Sequence, residues 1–170
     1  MSFELKAPQA GSKAELYREL QAQARALLEG ERDAVANAAN LSALIWHTLP
    51  DLNWAGFYFL RGHELVVGPF QGKPACVRIA LGKGVCGTAA RKRETVIVRD
   101  VHEFPGHIVC DVASNSEIVV PLLAGDRLLG VLDLDSPRTN RFDDGDRAGL
   151  EALAAIWVEA SAVGAPHGRD

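Results

Sequence analysis

Hydrophobic positions along this 170-residue chain change their spacing twice. Up to Leu49 they recur every three or four residues, as on the buried face of a helix. Leu16, Leu20 and Leu27 form one stripe; a capping box at Ser12-Lys13-Ala14-Glu15 opens it and Gly30 can close it, which predicts a helix to about Glu29. Val35, Ala38, Leu41, Leu44, Ile45 and Leu49 predict a second helix over residues 31–49, stopped by Pro50. Extended patterns follow. Stretches 54–60 and 64–69 flank Arg61-Gly62-His63 and read as a hairpin. Residues 75–81 predict a third strand, 82–92 a loop with a short helix, and 95–99 another strand. Stretches 116–124 and 128–135 make a further hairpin across Gly125-Asp126, and Asp143 caps a last helix that turns Leu150, Leu153 and Trp157 inward.

Helices at the two ends and strands joined by local hairpins predict an α+β fold with a central, largely antiparallel sheet. Residues 12–162 read as a single domain, with a flexible arm at 1–11 and a tail at 163–170. Residues 100–115 stay polar and irregular around Pro105 and Gly106, and a loop this long inside a compact domain is usually functional.

Composition narrows the function. Hydrophobic residues at 48% exclude a disordered chain, and a net charge of −4 argues against a nucleic-acid partner. No apolar stretch approaches the roughly 20 residues of a membrane span. The start, Met1-Ser2-Phe3-Glu4-Leu5-Lys6, lacks the pattern of a signal peptide, so a cytoplasmic location is expected. Thiols stay reduced there, which makes the three cysteines reactive, metal-binding or inert rather than structural disulfides.

Gly82-Lys83-Gly84-Val85-Cys86-Gly87 fits G-x-G-x-x-G, but Glu94 and Asp100 come too early for a dinucleotide site and the strands around it look antiparallel. It reads instead as a glycine-rich turn opening a helix. Cys86 then lies in the first helical turn, where the helix dipole and Lys83 would favour a thiolate. Cys76 is expected in the third strand and Cys110 near the end of the long loop. Without a C-x-x-C pair, no metal site is assigned.

Asp133 and Asp135 alternate with Leu132 and Leu134, so both carboxylates leave one face of a strand. Either that face is solvated, or, since the preceding residues are apolar on both sides, the acids face a pocket and raise one another's pKa. Trp54, Gly56 and Tyr58 share a face too, as core packing or as an aromatic cage in which Gly56 leaves room. His102 and His107 read as surface residues. A regular two-residue turn at Gly125-Asp126 would set Glu117 opposite Leu134, on the wrong face to join Asp133 and Asp135. A shared site therefore demands a one-residue register shift, with Pro121 the suspected cause or else an odd-length turn around Asp126.

The chain resembles a GAF domain and, within that superfamily, the free methionine-(R)-sulfoxide reductases. The stretches that carry the resemblance are Asn53 to Tyr58, Gly68 to Ile79, Gly82 to Thr88, Asp100-Val101-His102, Gly106-His107-Ile108 with Cys110-Asp111, Ser114 to Val119, and Gly130 to Ser136. They cover most of residues 50–146. The resemblance implies a cytosolic homodimer that reduces the R-epimer of free methionine sulfoxide, with no metal and no bound cofactor, and that is recycled by thioredoxin at the expense of NADPH. It implies that Cys110 is the sulfur nucleophile, Cys76 its disulfide partner and Cys86 a second resolving thiol. It further implies that Glu117, Asp133 and Asp135 bind and protonate the substrate while Trp54 and Tyr58 cradle its methyl end. The alternative is a non-catalytic GAF sensory module that binds a small molecule; it leaves three thiols near three acids without a role.

Overall fold

Two long hairpins supply the middle of a six-stranded sheet, antiparallel throughout, whose strands lie in the order β3 (Arg78–Ala80), β2 (Glu64–Gly72), β1 (Trp54–Arg61), β6 (Arg127–Ser136), β5 (Ser116–Ala124) and β4 (Val96–Val98). The computed structural model describes residues 3–5 and 11–163; the arm expected over 1–11 and the tail over 163–170 fall for the most part outside the described residues. The elements are α1 (Lys13–Leu28), α2 (Ala34–Thr48), β1 (Trp54–Arg61), β2 (Glu64–Gly72), β3 (Arg78–Ala80), α3 (Gly84–Lys92), β4 (Val96–Val98), β5 (Ser116–Ala124), β6 (Arg127–Ser136) and α4 (Asp144–Ala160). The fold is α+β, as the pattern predicts.

Helix ends follow local chemistry. Ser12 accepts from the Glu15 N–H, and the Glu15 carboxylate reaches back to the Gly11 N–H at 2.8 Å. Gly30 ends α1 with φ +78°, a conformation that costs a side-chain-free residue little. Asp143 accepts from the N–H groups of Gly145 and Asp146, and the Asp146 carboxylate returns to the Asp143 N–H. The apolar stripe of α1 is rotated from the one expected: its buried residues are Tyr17, Leu20, Ala24 and Leu28, while Leu16 and Leu27 only flank them. In α2 the expected stripe is buried at Ala38, Leu41, Leu44, Ile45 and Leu49, and only Val35, 53% exposed, lies off that face.

Side-chain alternation divides the sheet into two faces. Ala55, Phe57 and Phe59 of β1, Ile118, Val120 and Leu122 of β5, and Leu132 and Leu134 of β6 pack against α1, α2 and α4. Trp157 of α4 lies 5.4 Å from Phe57 and 5.7 Å from Phe59, ring centre to ring centre. Each fully buried side chain of this size contributes about 1.5–3 kcal/mol of hydrophobic stabilisation. The opposite face carries Trp54, Tyr58, Val119 and Val131 and is covered by α3 and the irregular segments on either side of it. That second face holds the polar groups.

Candidate active site

Three strands line their side chains up in rows across this second face. Trp54 pairs with Asp135, and Asp135 with Glu117; Gly56 pairs with Asp133, and Asp133 with Val119; Tyr58 pairs with Val131, and Val131 with Pro121. Residues directly opposed share a face, so the three acids and the two aromatics project together.

The register shift that this requires is present, but Pro121 does not cause it. The turn is the regular two-residue one, with Ala124 opposite Arg127 and Leu123 opposite Leu128. The next pair is Leu122 with Gly130, so Leu129 is the extra residue and the bulge lies on β6. Gly130 has φ +154°, and a Cβ there would strike the Tyr58 carbonyl oxygen. Pro121 pairs in step with Val131. The glycine, not the proline, marks the bulge.

Gly56 leaves room for Phe70 rather than for a ligand: a Cβ at 56 would collide with the Phe70 side chain. Phe70 stacks on Trp54 at 5.1 Å, and Trp54 lies 5.7 Å from Tyr58. Both aromatics also use their polar ends. The Trp54 indole N–H donates to the Lys73 carbonyl at 3.2 Å, and the Tyr58 hydroxyl donates to the Cys76 carbonyl at 3.0 Å. Burial first, and then the charge of Asp133, push the Tyr58 phenol well above its usual range, so it stays a donor.

Those two bonds fix the segment that bears Cys76. The cysteine is not in a strand, because β3 begins only at Arg78. Cys76 is joined to Cys110 by a disulfide, with their Cα atoms 5.6 Å apart. The loop bearing Cys110 is tied to the sheet beside it. Asn53 donates to Asp111 Oδ2 at 3.2 Å and to Ser114 Oγ at 2.9 Å, and Lys73 lies 3.6 Å from Asp111 Oδ1. The Ala113 N–H foremost, with Asn53 and Lys73 after it, holds Asp111 below the usual carboxylate range. His107 sits inside the site rather than on the surface: its side chain is 13% exposed and its Nε2 is 3.6 Å from Glu117 Oε2. Burial lowers its pKa, which favours neutral imidazole. Nothing in the sequence separated it from His102, which lies exposed against Asp100 at 2.7 Å.

Cys86 is in the first turn of α3, as expected, but it is not a low-pKa thiol. It is 4% exposed, its Sγ is 3.2 Å from Asp133 Oδ2, and Glu117 Oε1 is 3.9 Å away. Burial, then the charges of Asp133 and Glu117, push the thiol up, against the helix dipole. The S–H therefore donates to Asp133. The glycines ahead of it serve backbone geometry: Gly82 and Gly84 have φ of +83° and +58°, and Gly82 N–H donates to Gly87 O at 2.6 Å.

Burial raises all three acids well above the carboxylate range. The next cause for Glu117 is Asp135, for Asp133 it is Glu117, and for Asp135 it is Asp133. A site built this way keeps at least one carboxyl protonated near neutrality, as a general acid requires. Cys86, Glu117 and Asp133 also present metal-ligand atoms within 4.8 Å of one another. The cavity bounded by these groups is tight, with about 40 Å³ open to the centre of a water-sized sphere, and His107, Ile108, Cys110, Asp111 and Ser114 roof it. The expected loop over 100–115 thus supplies the cover of the site.

Residues 24–158 match the GAF domain family. The chain is 52% identical over 144 residues to the free methionine-R-sulfoxide reductase of Escherichia coli, covering 85% of this chain and 87% of that protein. It is similar to the crystal structure of the free methionine-R-sulfoxide reductase of Neisseria meningitidis in complex with its substrate, with 43% identity, TM-score 0.89, and coverage of 94% and 95% of the two chains. It is similar as well to a protein of Burkholderia vietnamiensis solved as a candidate GAF sensor, with 68% identity, TM-score 0.86, and coverage of 89% and 96%.

Proposed function

Since the chain belongs to the GAF domain family and, within it, to the free methionine-R-sulfoxide reductases, we propose that it reduces free L-methionine (R)-S-oxide to methionine by thiol chemistry at this cavity. The observation that carries the reading is the meeting of the Cys76–Cys110 disulfide with Glu117, Asp133, Asp135, Trp54 and Tyr58 around one cavity, the acids on its floor and Cys110 at its exposed rim.

In the reduced protein the Cys110 thiolate attacks the sulfoxide sulfur. A protonated acid of the Glu117–Asp133–Asp135 group delivers a proton to the sulfoxide oxygen. The substrate S–O bond breaks as the oxygen passes to Cys110; methionine departs with its sulfur reduced, and Cys110 is left as a sulfenic acid. The Cys76 thiol condenses with it; water leaves and the disulfide forms. Thioredoxin, re-reduced with NADPH, returns both thiols by exchange. Cys86, already buried beside the acids, is held in reserve as a second resolving thiol. Trp54 and Tyr58 offer an apolar wall to the methyl end, and a carboxylate that stays ionised pairs with the substrate α-ammonium. A methionine within a peptide has no such group, which restricts the reaction to the free amino acid. The reaction so written uses no bound cofactor and no metal, and it takes place in the cytoplasm in a homodimer.

The opposing reading is a sensory GAF module without chemistry. It accounts for an aromatic pocket but assigns no role to a disulfide in its roof. Consumption of NADPH in the presence of thioredoxin and its reductase separates the two. The R-epimer of free methionine sulfoxide should be turned over and the S-epimer should not; turnover of neither sinks the enzymatic reading.

A further inference from the structure

The cavity contains an arrangement that can do more than the reduction reaction asks of it. Its lining includes Asp111, Glu117, Asp133 and Asp135 but no lysine or arginine, and Cys86 lies among them. Asp133 is 5% exposed; one of its oxygens accepts from Cys86, and the other, Oδ1, is buried without a hydrogen-bond partner. A buried carboxyl oxygen without a donor is costly, and a proton shared with Glu117 or a cation relieves it.

The spacing is close to what a small tetrahedral cation needs. Around a tetrahedral Zn²⁺, with bonds of about 2.3 Å to sulfur and about 2.0–2.2 Å to oxygen, neighbouring ligand atoms lie about 3.3–3.8 Å apart. Cys86 Sγ is 3.2 Å from Asp133 Oδ2 and 3.9 Å from Glu117 Oε1. One ligand comes from α3, one from β5 and one from β6, all buried. His107 faces the second oxygen of Glu117 at 3.6 Å, the place of an outer-sphere partner that orients a ligand. A thiol with two carboxylates suits a borderline-soft cation, not the hard, oxygen-seeking Mg²⁺.

We propose that Cys86, Glu117 and Asp133 form a Zn²⁺ site, with the fourth position open to the cavity, and that the ion excludes the sulfoxide because it takes the acids that would bind it. Zn²⁺ binding releases the Cys86 thiol proton together with any proton held on Glu117 or Asp133, and replaces the S–H···Asp133 bond with two metal bonds. The site is inhibitory: the metal is not a cofactor but a competitor for the carboxylates. The exclusion of sulfoxide rests on the function proposed above, whereas the metal site does not.

The disulfide-bonded protein isolates the test, because Cys86 is then its one free thiol. Co²⁺ serves as the spectroscopic stand-in for Zn²⁺. It should bind at one ion per chain and give an intense near-ultraviolet thiolate-to-cobalt band, which Zn²⁺ bleaches and excess Mg²⁺ leaves intact. Cys86→Ser should remove that band, and Asp133→Asn should weaken Zn²⁺ binding measured by calorimetry by at least about a hundredfold, beyond the loss typical of an outer-sphere change. His107→Ala, in the roof and away from the sheet, should weaken it by about tenfold. A Co²⁺ complex with no thiolate band, or Zn²⁺ binding unchanged in Cys86→Ser, overturns the site. In Cys110→Ser, free methionine sulfoxide should raise the apparent Kd for Zn²⁺ in proportion to its concentration. Tight Zn²⁺ binding that ignores the sulfoxide leaves the metal site standing and counts against the substrate reading of the cavity.

Discussion

Glu117 lies directly opposite Asp135 across the β5–β6 ladder, one step out of register with the turn that joins their strands. The offset originates at Leu129 and Gly130, several residues from either acid. It moves every side chain beyond it to the other face, because strand alternation has a period of two. Gly130→Ala should therefore harm the site from a distance. A Cβ at 130 meets the Tyr58 carbonyl, and the expected cost is about 2–4 kcal/mol by urea unfolding, with a parallel fall in sulfoxide turnover. Pro121→Ala, at a position paired in step, should cost under about 1 kcal/mol. Equal damage from both substitutions would return the shift to the proline.

Single-turnover release of methionine distinguishes the thiols. Cys110→Ser should abolish it. Cys76→Ser and Cys86→Ser should each retain close to one equivalent, since a resolving thiol acts only after methionine has left. Full release from Cys110→Ser with none from Cys86→Ser would reverse the assignment of nucleophile.

The buried acids set a pH dependence of stability. Glu117, Asp133 and Asp135 titrate higher in the folded protein than in the unfolded chain, where they ionise near about pH 4. The unfolded state therefore loses these protons first. The stability they contribute is fully present below about pH 4 and is lost as pH rises toward the folded values. Asp133→Asn and Glu117→Gln should then melt above the parent at pH 8, by about 2–4 °C for each kcal/mol relieved, and the advantage should shrink toward pH 4. Thermal melts across that range, with a chelator present, check the trend; a gain that grows on acidification contradicts it.

Asp146 joins α1 to α4 and should be the costliest acid to remove outside the cavity. It is fully buried and accepts from Tyr17 at 2.8 Å, Lys13 at 2.8 Å, Arg141 at 3.3 Å and the Asp143 N–H at 2.9 Å. Asp146→Ala should cost about 3–5 kcal/mol, because it strands the buried Tyr17 hydroxyl and the Arg141 guanidinium. Asp143→Ala, which removes a cap at the surface, should cost about 1 kcal/mol. Urea unfolding of the two variants gives the comparison.

Features governed by a few consecutive residues were legible before folding. The caps at Ser12 and Asp143, the glycine stop at Gly30, both hairpin turns and the shared face of Asp133 and Asp135 all follow from local chemistry. Features decided by a distant partner were not. The helix dipole acts on Cys86 as the sequence suggests, but carboxylates from β5 and β6 and complete burial act more strongly, and neither adjoins it in the chain. Gly56 marks a close approach, yet only the fold shows that Phe70 makes it. His107 looks like His102 until Glu117 is brought beside it. The need for a shift is legible because strand parity is a strict constraint; its place at Gly130 is not, because the sequence also offers Pro121, which cannot donate to a ladder.

The joined sulfurs of Cys76 and Cys110 lie in connecting segments, whereas the acids and aromatics stand on paired strands at the centre of the sheet. On the function proposed above, the groups that bind and protonate the substrate and the sulfurs that take its oxygen are thus carried by separate parts of the chain, strands for the first and connections for the second. Loss of the two loop sulfurs alone should therefore leave a protein that still takes up free methionine sulfoxide and returns it unchanged.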